Sequence, residues 1–221
     1  MKTIILNLIE QMAILDFSFL VYLALTPIWI LLPIIIQQIG KLDGIKKANN
    51  IRSAIHATIV IIFYLFGGSG VILNYISSTY YIADLVNIII QFKPTLYNFG
   101  IAIHHVVTMT VLTYLCFPET QSYLYIGFFL SELSNVPMYI VYHLKENHVQ
   151  GNIVTLLTGI EALGFIVCRI LIGGKLCIDI TLDKNMPWIM SISGWIIFVI
   201  SFYWSYKLIM QIVRYKKIKQ L

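Results

Sequence analysis

Charge is what this chain has least of. Only 11% of its 221 residues are Asp, Glu, Lys or Arg, against about 25% in ordinary soluble domains, which excludes a water-soluble globular fold. Cysteine is also scarce. Cys116, Cys168 and Cys177 stand at no metal-type spacing and form no disulfide framework. Cys116 and Cys177 fall near one membrane face when the spans below are drawn, but the odd count leaves a bridge unsupported. No glycine-rich phosphate loop, paired-cysteine motif, repeat or low-complexity segment is present. The N-terminus, "MKTIILNLIEQMAILDF", has a short apolar patch interrupted by Glu10 and Asp16 and no small-residue cleavage site, so a removed signal peptide is not expected. The net charge of +5 does not point to nucleic acid, because the basic residues cluster beside apolar segments, where the inside-positive bias places them.

Apolar residues are abundant, 59% of the chain. Seven apolar segments can be drawn: 16–39, 53–73, 80–92, 98–117, 121–144, 153–173 and 187–210. Each except the third approaches the roughly 20 residues a spanning helix needs. The third has 13 residues, and the charges argue that it crosses nonetheless. With seven crossings, Lys41, Lys46, Lys47, Arg52, Lys93, Lys145, Arg214, Lys216, Lys217 and Lys219 share one side, and Lys2, Lys175 and Lys184 the other. Without it, the two main basic clusters fall on opposite sides, against the bias. The expected topology therefore has a lumenal N-terminus and a cytosolic C-terminus.

Ionisable residues recur inside these segments. Counted from the cytosolic end at about 1.5 Å per residue, Asp84 lies at roughly 12 Å, His104 and His105 at about 9–11 Å, Glu161 near 12 Å and Glu132 near 18 Å. A charge in hydrocarbon costs about 2.5–3.5 kcal/mol on insertion scales, so groups on four helices in one slab are expected to face each other or a wet cavity. Thr108 is four residues after His104 and three after His105, which puts the three on one helix stripe. On the fifth segment, "FFLSELSNVPMYIVYH" sets Ser131 or Glu132, Asn135 and Tyr139 at helical spacing, and Pro137 frees the carbonyl of Leu133. Arg169 is expected to be held by an internal acid, Glu161 being nearest in sequence, unless the two belong to a ligand site.

In their order and spacing these elements resemble the TLC domain family, which includes the ceramide synthases. The resemblance covers residues 41–212 and rests on "NNIRSAIHA" with Arg52, Ser53 and His56, "YYIADL" at Asp84, "HHVVT", "GFFLSELSNVPMY", and "GFIVCRI" at Arg169. It implies an all-α integral membrane fold of about seven transmembrane helices, six around a central lipid-accessible cavity plus one N-terminal helix. The divisions expected are an N-terminal helix over 1–40, the membrane domain over 41–212 and a basic cytosolic tail over 213–221. The His-Asp and Asp-x-x-x-Glu elements that follow the histidines in ceramide synthases are absent. Glu132, Ser134 and Pro137 stand instead, as in TLC-domain-containing proteins linked to phospholipid composition.

Two functions remain open on this reading. One is acyl transfer from acyl-CoA, as co-substrate, to a lipid amine or lysolipid, with His104, His105, Glu132 and Asp84 catalytic and Arg52, His56, Thr108, Asn135, Glu161 and Arg169 binding lipid or substrate. An imidazole with pKa near 6.5 can accept a proton at neutral pH, a carboxylate can orient it, and the basic loop 41–52 would attract the CoA phosphates. Adjacent residues on a helix point about 100° apart, so the two histidines cannot address one atom equally. The other is a non-catalytic lipid sensor or regulator of membrane composition using the same cavity. Neither reading requires a bound metal or cofactor, and both place the chain in the endoplasmic reticulum or another internal membrane.

Overall fold

The computed structural model describes residues 2–90, 95–116, 118–149 and 151–218, with side chains for 18–90, 95, 98–115, 120–149 and 151–213. Seven helices follow one another: α1 (Lys2–Ile39), α2 (Ile45–Leu65), α3 (Gly70–Ile90), α4 (Leu96–Leu112, extended by a 3₁₀ turn Thr113–Cys116), α5 (Pro118–Glu146), α6 (Asn152–Leu182) and α7 (Trp188–Ile218). There is no strand among the described residues. Segments of α1, α4, α5, α6 and α7 are each long and apolar enough to cross a membrane. Their outward faces carry large exposed apolar side chains, among them Phe19, Leu20, Leu163, Val199 and Phe202, as a surface facing lipid tails requires.

The second and third segments differ from the sequence reading. Instead of a second span over 53–73 and a 13-residue third, α2 and α3 have 21 residues each, about 31 Å of helix, so the second lies nearer the N-terminus than drawn and the third is full-length. The break falls at Gly67–Gly68, within the drawn segment 53–73. Gly67 has φ +64°, and a Cβ on Gly68 would collide with the Phe63 ring. The hydropathy pattern hides α3 because its middle is polar yet buried: Asn74, Ser77, Ser78 and Thr79 are all at most 6% exposed. Two of them bond within the helix, Ser78 Oγ to Asn74 Oδ1 (2.9 Å) and Thr79 Oγ1 to the Tyr75 carbonyl (2.7 Å), and Ser77 Oγ pairs with His56 on α2. The sixth helix likewise outruns its expected end, continuing through "GGKLCIDITL" to Leu182. It contains a π-helical stretch, Phe165–Ile172.

Helix packing closes a ring in the order α2, α3, α4, α7, α6, α5 and back to α2, with α1 outside against α2 and α3. This is the expected six-plus-one arrangement. Ser18 Oγ bonds Tyr75 Oη (2.7 Å) and Trp29 packs edge-on against Tyr80, fastening α1 to α3. Lys47 Nζ donates to Asn147 Oδ1 (3.2 Å), so the N-terminal end of α2 and the C-terminal end of α5 share one end of the bundle, as four alternating crossings from α2 to α5 require. Toward the other end, Leu73, Leu112, Leu115, Leu124 and Phe128 form a dense apolar core. Cys168 and Cys177 are free thiols. The side chain of Cys116 lies outside the described residues, as do those of the tail 214–221.

Candidate functional site

The ring encloses a cavity of about 680 Å³, within the usual range for ligand pockets, roughly 300–1,000 Å³. Its lining is mostly apolar, with Phe128, Ile180, Met190, Ile197 and Phe198 on one side and a polar wall from α3, α4, α5 and α6 on the other. Asp84, His104, His105, Thr108, Glu132, Asn135, Glu161 and Arg169 all reach the cavity. Arg52 and His56 stand behind the wall, where they hold up its residues and do not line the space themselves.

The first assembly is a chain across four helices. Arg52 on α2 has no exposed surface, and its Nη2 donates to Asp84 Oδ1 on α3. The other carboxylate oxygen of Asp84 lies 2.6 Å from His105 Nε2 on α4. Arg52 Nη1 also reaches the Trp29 carbonyl on α1 at 3.5 Å. That carbonyl is spare because Pro33, four residues on within the helix, has no N–H to give it. Tyr80 lies beside the Arg52 guanidinium at 5.4 Å and donates its hydroxyl to Ser53 Oγ (2.9 Å). Burial of Arg52 corrects one expectation, since a guanidinium sealed inside the bundle cannot collect CoA phosphates at the surface.

Glu132 anchors the second assembly. Its Oε1 accepts from the Tyr81 hydroxyl (3.1 Å) and its Oε2 from Asn135 Nδ2 (3.2 Å). His56 Nδ1 stands 3.7 Å from Oε1, while His56 Nε2 shares a hydrogen bond with Ser77 Oγ (3.1 Å) and the ring stacks on Tyr80 at 3.9 Å. The carboxylate that touches a histidine of the adjacent pair is therefore Asp84, and Glu132 is tied instead to Tyr81 and Asn135.

Arg169, 5% exposed, belongs to the third. Its Nε donates to Ser134 Oγ (2.8 Å), and its Nη2 to the Ser131 carbonyl (2.9 Å) and Asn135 Oδ1 (2.8 Å). Its guanidinium carbon stands 4.5 Å above the Phe165 ring. This overturns the pairing with Glu161, which has no hydrogen-bond or ion-pair partner among the described residues. Residues 161 and 169 would be about 80° apart on a regular helix, and the π-helical stretch, with the Gly173 N–H on the Cys168 carbonyl, turns Arg169 onto the "SELSN" face of α5. Asn135 joins the two assemblies, donating to Glu132 and accepting from Arg169.

The adjacent histidines divide as their spacing requires. His105 takes Asp84 and packs edge-on to Tyr81 (5.0 Å), while His104 packs edge-on to Trp204 of α7 (5.3 Å). Nδ1 of both rings and Oγ1 of Thr108 are buried with no hydrogen-bond partner among the described residues. Sequence reasoning missed Tyr81, Ser134 and Trp204. Ser134 was within reach, since it lies inside the quoted motif one residue before Asn135. Trp204 had no signal, because nothing in a linear pattern tells which helix closes the ring beside α4.

A family model for the TLC domain matches residues 64–210, well over half of the chain. The chain belongs to the TLC domain family. It is a multi-pass membrane protein of a lipid-related family. The match begins within α2, so Arg52, Ser53 and His56 precede it and their place in the site rests on the geometry above. No curated protein and no solved structure matches the chain. What this TLC domain offers chemically is a carboxylate–imidazole pair backed by a guanidinium, on the polar wall of a mainly apolar cavity.

Proposed function

We propose that this TLC domain transfers an acyl group from acyl-CoA to a lipid acceptor in the endoplasmic reticulum or another internal membrane, with His105 as general base. The observation that carries the reading is the 2.6 Å contact between Asp84 and His105 at the cavity wall, with the second ring nitrogen left unpaired. Asp84 accepts from Nε2–H, so Nδ1 bears the lone pair. It can take the proton of an acceptor amine or hydroxyl as that group attacks the thioester carbonyl. The acyl–oxygen or acyl–nitrogen bond forms, the carbon–sulfur bond breaks, and the thiolate leaves with the electron pair and is protonated. Asp84 steadies the imidazolium as the acid does in catalytic triads, and Arg52 balances the carboxylate. His104, on its own face of α4 beside Trp204, and Thr108 contribute further polar atoms to the same cavity.

The thioester has to arrive with its chain in the membrane and its CoA in water. Lys145 and Lys207 line the cavity and are exposed; Lys41 before α2 and Lys46 in its first turn are also exposed, so cations for the CoA phosphates are available without Arg52. Purified protein incubated with acyl-CoA and candidate lysolipids or lipid amines, followed by mass spectrometry, is expected to yield CoA and acylated lipid in equal amounts. Binding of these lipids without turnover would instead make the chain a lipid sensor or regulator of membrane composition.

A further inference from the structure

Arg169 is the cation that the chemistry above leaves unused. Everything it donates to is neutral, two serine oxygens and one amide oxygen on α5, and these bonds fix the plane of the guanidinium. Its remaining nitrogen, Nη1, is buried and has no hydrogen-bond partner among the described residues. The residue nevertheless lines the cavity. No carboxylate competes for that nitrogen: Asp84 is taken by Arg52 and His105, Glu132 reaches Arg169 only through Asn135, and Glu161 makes no contact with it. A guanidinium edge presents N–H donors in the fork that matches carboxylate and phosphate oxygens.

We propose that Arg169 Nη1 seats the oxyanion, phosphate or carboxylate, of a single-chain membrane lipid whose tail lies along Phe128, Ile180, Met190 and Phe198. Calling that lipid the acyl acceptor rests on the transferase reading, and it makes the acceptor an acidic lysolipid in preference to a protonated amine. The basic mouth is a separate place. Asn135, which holds Arg169, is ten residues from Lys145 on α5, about 15 Å along the helix.

Binding of oleoyl lysophosphatidate, oleate, monooleoylglycerol and sphingosine to the full chain in uncharged detergent, followed by intrinsic tryptophan fluorescence, tests this. A hydrogen bond to a charged group predicts that at least one oxyanion lipid binds about tenfold or more tighter than monooleoylglycerol, and that sphingosine gains nothing over it. The stronger of lysophosphatidate and oleate assigns the oxyanion as phosphate or carboxylate. Arg169→Gln should erase the preference, Arg169→Lys keep part of it, and Lys145→Gln and His105→Asn keep all of it. Equal binding of charged and uncharged lipids by the wild type, or a preference that survives Arg169→Gln, overturns the proposal. Should Arg169→Gln fail to fold, the wild-type lipid series and Lys145→Gln still decide, because a preference lost in Lys145→Gln places the anion at the mouth. The wild type separates the two readings: oxyanion preference without acylated product from acyl-CoA defeats the transferase alone, and product without the preference defeats this site alone.

Discussion

Asp84 holds two partners at once, and replacing it tests the four-helix chain more severely than replacing either end. In Asp84→Asn the side chain keeps its size but loses its charge, and Arg52 is left as a cation with no exposed surface. Its remaining support is the Trp29 carbonyl at 3.5 Å, a long contact, while Nε has no partner among the described residues. Breaking one side of a buried ion pair costs about 3–5 kcal/mol. At about 2–4 °C per kcal/mol for chains of this length, the melting temperature should fall by about 6–20 °C. His105→Asn leaves the Arg52–Asp84 pair in place and gives up only one hydrogen bond to a charged group, about 1.5–3 kcal/mol. The double variant Arg52→Gln/Asp84→Asn should be no less stable than Asp84→Asn, since removing both charges removes the uncompensated one. Thermal unfolding in detergent, followed by tryptophan fluorescence and by loss of the monodisperse size-exclusion peak, gives the comparison. Asp84→Asn and His105→Asn melting within about 2 °C of each other would refute the reasoning.

Three further outcomes follow from the same contacts. Asn135→Ala removes the bridge between Glu132 and Arg169 and should cost about 1–3 kcal/mol, whereas Glu161→Gln should leave the melting temperature unchanged or raised; a larger loss in Glu161→Gln would restore the Glu161–Arg169 pairing. A Cβ on Gly70 would lie 2.7 Å from Gln121 Nε2 and 2.8 Å from the Leu115 carbonyl, so Gly70→Ala should destabilise by about 1–3 kcal/mol, while Gly100→Ala, with open space at that position, should change little in the same melting assay. A C-terminal tag should be digested by protease added to sealed, cytosol-side-out microsomes, as the lysine and arginine distribution predicts; a protected tag would reverse the topology.

Much of the site could be read from the chain because burying ionisable groups in a membrane is costly and leaves few innocent explanations. Asp84, His104, His105, Glu132 and Glu161, picked out by depth alone, all reach one cavity, and Thr108 joins the histidines as their stripe requires. Partner choice was less legible. Arg169 has an acid eight residues before it in sequence, yet its bonds go to α5, because a π-helical stretch changes the angular step that the spacing argument assumed. Arg52 reads as part of a basic loop, but α2 begins at Ile45 and carries it into the bundle, where Asp84 and the carbonyl freed by Pro33 receive it. The α2–α3 boundary escaped the hydropathy pattern for a related reason. The polar centre of α3 is satisfied within the helix and by His56 of α2 and is covered by its neighbours, so it looks like a loop in one dimension.

The general-base role of His105 is most directly measured by the initial rate of acylated-lipid formation from acyl-CoA, with wild type and His105→Asn compared at matched monodispersity and melting temperature. Asparagine cannot accept a proton near neutral pH, and a positioned general base contributes about 10²–10⁴-fold, so the rate should fall by at least about 100-fold while lipid binding persists. A His105→Asn protein that folds and turns over at the wild-type rate would contradict the account.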